Sequence, residues 1–168
     1  MVENVQSEDP YLEKQRKELV LIVDENNVEV RGATRQEMRV GKLWHRASYV
    51  FIVTDEAHGH KLLVQKRTMK KDYCPGFFDL ATGGVVGYGE DDDESAQREV
   101  AEELGIPDAV LEKVGVTKFD GDASKVFGNI YIMRNFNPDE IQLNLQADEV
   151  DEVVYWSKQE IEERVQNE

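Results

Sequence analysis

An α/β fold, with a mixed sheet packed between helices, is the architecture predicted for this chain of 168 residues. Three observations carry the prediction. Runs rich in β-branched and aromatic residues alternate along the chain with runs of helical periodicity. No internal repeat or low-complexity tract interrupts that alternation. The run from Ala47 to Thr54 is apolar at nearly every position, as a central strand covered on both faces requires.

Residues 1–17 form a polar leader, either disordered or docked as a short helix, with no chemical signal of its own. Residues 18–168 are expected to form one domain, long enough to bury roughly 70% of the surface of the unfolded chain. Leu19 to Asp24 is a β-rich run, Glu25-Asn26-Asn27 has turn chemistry and Val28 to Arg31 is a second strand, so the three read as a hairpin. Thr34-Arg35-Gln36-Glu37 is a capping-box pattern for one or two helical turns. Ala47 to Thr54 and Lys61 to Lys66 are strands, and His58-Gly59-His60 between them reads as a hairpin tip before it reads as a metal pair. Further strands are expected near Val114 to Phe119, Val126 to Met133 and Val153 to Trp156. Ser157-Lys158-Gln159-Glu160 is another capping box and opens a C-terminal helix with Ile161 and Val165 at i and i+4.

Composition narrows the partners. With 35 acidic and 20 basic residues the formal charge is −15, which disfavours nucleic acid and anionic membranes and attracts metal cations. Cys74 is the only cysteine, so no internal disulfide can form and a reducing, cytoplasmic location is expected. Met1 to Glu18 is too polar for a signal peptide, and no apolar run approaches the roughly 18 residues that span a bilayer.

The densest chemistry lies in Gly83 to Ile106, GGVVGYGEDDDESAQREVAEELGI. Gly83, Gly84, Gly87 and Gly89 allow tight turns and close approach to a ligand. Asp91 to Glu94 caps and charges a helix start, and Gly105 followed by Pro107 ends the helix. Ala96, Val100 and Leu104 form an apolar stripe that can pack on a sheet. Beside it Glu99, Glu102 and Glu103, at i, i+3 and i+4, bring three carboxylates to one side. Their mutual repulsion calls for a compensating charge, and a hard divalent cation such as Mg²⁺ supplies it.

Gly84, Glu90, Arg98, Glu99, Val100, Glu102, Glu103, Gly105 and Ile106 match every fixed position of the Nudix box, and the chain resembles a Nudix (MutT-like) hydrolase. The resemblance implies a Nudix α/β/α sandwich with a mixed β-sheet. It also implies Mg²⁺ (or Mn²⁺) held by the Gly83 carbonyl, Glu102 and Glu103, with Glu99 as a further ligand or the group that orients or deprotonates water. Glu90 and Arg98 are expected to steady the loop and helix. A distal acid on a late loop is common in the family. Among Asp148-Glu149-Val150-Asp151-Glu152, Glu149 is the candidate for a second catalytic carboxylate, because Glu152 can already belong to the next strand and Asp148 is shorter.

Upstream, Trp44-His45-Arg46-Ala47, Gln65-Lys66-Arg67, Lys71 and Pro75-Gly76-Phe77-Phe78-Asp79 resemble the branch that includes type I isopentenyl diphosphate isomerase. By position Arg67 and Lys71 match that enzyme's diphosphate-binding residues, and His45 one of its metal-binding histidines. The isomerase cysteine is replaced by Thr82, its Glu-x-Glu has no counterpart in Val126 to Ile132, and its further histidines are missing at Met38 and Gly84. The implied activity is therefore Mg²⁺-dependent hydrolysis of a diphosphate linkage in a nucleoside diphosphate derivative or related small organic diphosphate. Isomerisation or non-catalytic binding are the alternatives. Trp44, Phe77, Tyr88 and Phe119 are aromatics able either to stack on a base or to fill the core.

Overall fold

The structure, a computed structural model, describes residues 9–71 and 73–166. The expected hairpin forms from β1 (Leu19–Val23) and β2 (Glu29–Thr34). Asp24 builds its turn by accepting from the backbone N–H groups of Asn26 (2.8 Å) and Val28 (2.9 Å), while Asn27 adopts a positive φ of 65°. α2 (Arg35–Gly41) follows, capped by the Thr34 hydroxyl, which accepts from Glu37 N–H at 3.1 Å. The reciprocal half of this capping box is not used, because the Glu37 carboxylate turns instead to Arg31.

β3 (Trp44–Thr54) is the central strand. It pairs in parallel with β7 (Lys125–Phe136) over almost its whole length, and β7 pairs antiparallel with β6 (Glu112–Asp120). β1 joins the opposite edge of β3 near its start, where Ile22 faces His45. β4 (Leu62–Arg67) leaves β3 through a 3₁₀ turn at Glu56–His58, then diverges to pair with β8 (Val150–Trp156) and with the short β5 (Phe78–Asp79). The glycine loop fills the gap that β4 leaves beside β3. Val50 N–H donates to Thr82 O (2.8 Å), Ser48 N–H to Gly84 O (2.9 Å) and Val86 N–H to Arg46 O (3.0 Å), while Leu21 N–H on β1 donates to Val86 O (2.9 Å).

Helices cover both faces, giving the α/β/α sandwich. Ile22 and His45 share one face, and Met38 of α2 packs there with Val20, Ile22 and Val85. Val50 and Ile52 alternate onto the other face, where they receive Ala96, Val100 and Leu104 of α3 (Asp92–Leu104). Asp91 and Glu94 close a complete capping box at the start of α3, and Gly105 ends it in the left-handed region at φ 74°. α4 (Lys158–Gln166) starts on the reciprocal Ser157–Glu160 bonds.

Within the leader, Pro10–Lys17 forms helix α1, the docked alternative, capped by Asp9; residues 1–8 lie outside the described residues. β8 begins three residues earlier than expected, because Val150 and Glu152 find ladder partners in Arg67 and Lys66. His58 and His60 sit in the tip between β3 and β4. His58 there bonds Asp55 (2.5 Å) and Asp139 (3.1 Å), while the His60 ring meets Thr54 O (3.3 Å).

The His58 pair has a pH signature. The hydrogen bond to Asp55 raises the His58 pKa, partial burial opposes it, and Asp139 adds to the rise. A folded pKa above the ordinary value of about 6.5 stabilises the fold fully below that pH and loses the contribution as pH climbs through the folded value. Urea midpoints of the wild type should therefore fall more steeply above about pH 6.5 than those of His58→Ala. Parallel pH profiles of the two proteins would rule the contribution out.

Candidate active site

The stripe of Ala96, Val100 and Leu104 fixes how α3 sits on the sheet, and this sets the fate of each glutamate. At about 100° per residue, Glu103 lies about 60° from the centre of the stripe, Glu99 about 100° and Glu102 about 160°. Burial follows that order. Glu103 is 1% exposed and Glu99 7%, whereas Glu102 stands at the solvent edge.

The glycine loop runs beside these acids because β3 holds it there. Thr82 and Gly84 bond β3 through their backbone, and Val86 bonds β3 with its N–H and β1 with its carbonyl, so the loop carrying Gly83 is held against the central strand. Gly83 has φ 154°, and a Cβ there would lie 2.8 Å from the Ser48 carbonyl carbon. A Cβ on Gly84 would lie 2.7 Å from Glu99 Cδ, so the absence of a side chain makes the space that the carboxylate occupies.

Every acid has a local partner. Arg98 donates to Glu90 at 2.7 and 3.1 Å, and to Glu99 and Glu102 at 3.0 Å each. Glu90 also accepts from Gly87 N–H at 2.9 Å, so the glycine loop and α3 are tied together. Gln65 on β4 donates to Glu103 at 3.0 Å. Glu149, 8% exposed just before β8, accepts from Lys71 on one oxygen and from Tyr11 and Gln15 of α1 on the other.

Three nearly buried carboxylates disturb one another. Burial pushes the Glu99 carboxyl up to about 7, against the pull of Arg98 and with a further push from Glu149. Burial also raises Glu103 well above the usual carboxylate range, helped by the charges of Glu99 and Glu149. Burial would raise Glu149 as well, but Lys71 and the Tyr11 hydrogen bond outweigh it and bring that group down to about 2. Buried carboxylates that repel one another, beside a loop carbonyl, are donors whose chemistry suits a hard divalent cation. Among the described residues no three His, Cys, Asp or Glu side chains are gathered into one metal-sized cage; Arg98, Gln65 and Lys71 engage Glu99, Glu103 and Glu149 in turn.

These groups open into a cleft of about 1010 Å³. Arg67 and Lys71 both line it. The Arg67 guanidinium is engaged by Tyr73 O (3.0 and 3.2 Å) and Asp79 (3.2 Å), and the Lys71 ammonium by Glu149. His45 lines the cleft as a buried ring whose Nδ1 meets Leu43 O at 2.9 Å; burial lowers its pKa. Of the four aromatics only Phe119 is among the lining residues. Trp44 packs on Phe127, 5.0 Å between centroids, and Phe77 and Tyr88 are exposed elsewhere. Thr82, at the position of the isomerase cysteine, is buried and donates to Gln65 Oε1 at 3.4 Å. The leader, read as chemically silent, supplies Tyr11 and Gln15; neither carries a motif that could have revealed a partner more than a hundred residues away.

Residues 43–168 match the NUDIX domain. The chain belongs to the Nudix hydrolase family. Over 147 residues this Nudix chain is 41% identical to a Yersinia pestis protein named as an uncharacterized Nudix hydrolase, covering 88% of this chain and 77% of that one. The crystal structure of DR0079 from Deinococcus radiodurans aligns over 89% of this chain and 90% of its own, with a TM-score of 0.73 at 19% identity. The NUDIX domain of Shewanella oneidensis NrtR, solved with ADP ribose, covers 80% and 88% with a TM-score of 0.57 at 15% identity. At those identities the structural likeness shows the fold. The Nudix span contains Gly83, Glu99, Glu103, Arg67, Lys71 and Glu149, while α1, the β1–β2 hairpin and α2 precede it.

The two adjacent glycines should respond differently to the same added methyl. Gly83→Ala strains a positive φ and meets backbone, and is expected to cost at least about 2 kcal/mol in urea unfolding. Gly84→Ala meets only the movable end of Glu99 and should cost less than about 1 kcal/mol while displacing that carboxylate. Equal losses for the two variants would contradict this account of the loop.

Proposed function

We propose that this Nudix protein is a hydrolase that cleaves the diphosphate linkage of a nucleoside diphosphate derivative or related small organic diphosphate, with Mg²⁺ or Mn²⁺. The observation that supports it is that Glu99, Glu102 and Glu149 line one cleft together with Arg67 and Lys71, with Glu103 buried on the same helix as Glu99 and Glu102. An ADP ribose bound by the NrtR domain, which shares the fold, is a ligand of the same chemical class.

In this reading the Gly83 carbonyl, Glu102 and Glu103 hold the cation, with Glu99 beside them. When bound, the cation neutralises phosphate oxygens and lowers the cost of bringing the anionic substrate to the acids. Water forms a bond to one phosphorus as the bridging P–O bond breaks, and the bridging oxygen departs on the other phosphate. The proton of the attacking water passes to Glu99 or Glu149. Arg67 offers a planar fork to the non-reacting phosphate and Lys71 a mobile point charge. Both are already occupied by Asp79 and Glu149, so the substrate must displace internal carboxylates to reach them. Freed from Lys71, Glu149 regains an acceptor oxygen at the moment the substrate binds.

A panel of nucleoside diphosphates, dinucleoside polyphosphates, nucleotide sugars and prenyl diphosphates, assayed by chromatography for the two phosphorylated products, or for inorganic phosphate where the substrate ends in a terminal phosphate, with Mg²⁺ and with EDTA, tests the reading. Turnover is expected with the metal alone, and Glu103→Gln should lose at least about a hundredfold while staying folded. Undiminished activity in EDTA would remove the metal from the proposal. Tight binding without turnover would point to a binding module, and an isomerised prenyl diphosphate to the isomerase alternative.

The two basic residues separate from the acids kinetically. Arg67→Ala and Lys71→Ala should chiefly raise KM, as loss of binding shared by ground and transition states does. Glu149→Gln should lower kcat by about 10²- to 10⁴-fold if it takes the proton. A Glu149→Gln variant with wild-type kcat, beside an inactive Glu99→Gln, would assign water activation to the helix.

A further inference from the structure

The geometry points to Tyr11 of α1 as a positioning residue: with Gln15 it holds the Glu149 carboxylate in place beside Glu103, from a helix that precedes the matched Nudix span. The inference rests on the reading in which Glu149 acts on water.

α1 has no fully buried side chain, and at eight residues an isolated helix is marginal in water. Apolar burial alone therefore gives it little reason to dock. Polar contacts fasten it at both ends. Near its C-terminus Glu18 accepts from Arg35 at 2.9 and 2.6 Å, joining α1 to α2. At the cleft, Tyr11 and Gln15 stand one helical turn apart on the same face and converge on Glu149. The Tyr11 hydroxyl donates to Glu149 Oε1; Gln15 Nε2 reaches that same oxygen and the Tyr11 oxygen, at 3.1 Å each.

Lys71 takes the other oxygen of Glu149, so opposite sides of the cleft fix the plane of the carboxylate. The two holds differ in kind. Lys71 is a flexible cation that a phosphate can draw away, whereas Tyr11 is a rigid ring with a neutral donor and carries no charge for a phosphate to attract. When Lys71 turns to substrate, Tyr11 and Gln15 still determine where Glu149 points. The charge of Glu149 also acts on Glu99 and Glu103, so its position is felt by both buried acids of α3.

Tyr11→Phe keeps the ring and removes the donor. On whichever panel substrate the wild type turns over, kcat should fall about tenfold with KM within about twofold, since a small misplacement of a reacting group costs rate before affinity. The double variant Tyr11→Phe/Glu149→Gln should be no slower than Glu149→Gln alone, because Tyr11 acts through Glu149. Fully additive losses would overturn the assignment. A second measurement needs no turnover: amide hydrogen exchange across α1 in the metal-free protein. Tyr11→Phe and Glu149→Ala should each speed exchange of α1 by at least about tenfold and leave α3 unchanged. Unchanged α1 protection in both variants would overturn the contact itself. If no panel compound is turned over, the proposed reaction fails alone, and the exchange measurement still decides whether Tyr11 holds Glu149.

Discussion

The burial of Glu99 and Glu103 on the sheet-facing side of α3 is the constraint from which the rest of the site follows. A carboxylate taken out of water without compensation costs several kcal/mol, and two of them one turn apart also repel each other. The surrounding structure is arranged to offset that cost. Gly84 omits a side chain where Glu99 lies, Gln65 donates to Glu103, and Arg98 spreads its guanidinium over Glu90, Glu99 and Glu102. None of these can move independently. Because Arg98 and Glu90 join the helix to the glycine loop, and β3 holds the loop, the acids are positioned by the centre of the sheet.

Topology supplies the opposite wall. β4 diverges from β3 after the hairpin, and the gap it leaves admits the glycine loop between two strands. The same divergence lets β4 pair with β8, which brings the chain around Thr68 against the chain around Glu149. Thr68 N–H donates to Glu149 O at 3.0 Å and its hydroxyl to Asp148 O at 2.8 Å, so residues about eighty positions apart become neighbours. Lys71, three residues beyond Thr68, then reaches the Glu149 carboxylate. The meeting of cation and acid is a consequence of strand register.

Local rules made most elements legible. The acidic cap of Asp91 to Glu94 marks the start of α3 and the Ser157–Glu160 capping box that of α4, the apolar stripe gives the face of α3, and the turn chemistry of Glu25 to Asn27 gives the first hairpin. Placing all three glutamates on one side was sound at the level of helix geometry but too coarse, since the 100° spanned by Glu103, Glu99 and Glu102 runs from core to solvent. The angle to the stripe already contained that distinction. What no local rule could reveal is contact between distant segments: α1 buries no side chain fully, and its cleft-side contact is with a carboxylate that the β4–β8 register delivers. In the structure the leader helix starts on Asp9 and Pro10, but nothing in residues 10–17 says what they touch.

The internal pairing of the cleft cations bears on how a ligand of the proposed class is selected. The chain carries a formal charge of −15, and its cleft still presents Arg67 and Lys71, each with a carboxylate already in contact. A singly charged anion that took Lys71 would leave Glu149 without its cation in a nearly dry position, so the exchange would gain little. In the proposed reading a diphosphate arriving with a divalent cation would differ, because its phosphate charges would replace Asp79 and Glu149 at the two basic side chains while the cation would add positive charge where Glu99 and Glu103 repel. Only a ligand that brings both signs of charge leaves every group compensated. If the proposed activity holds, selectivity for a metal-bound polyphosphate over simpler anions would lie in the cost of breaking pairs that the folded protein has already made, and the residues outside those pairs would discriminate what the phosphates carry.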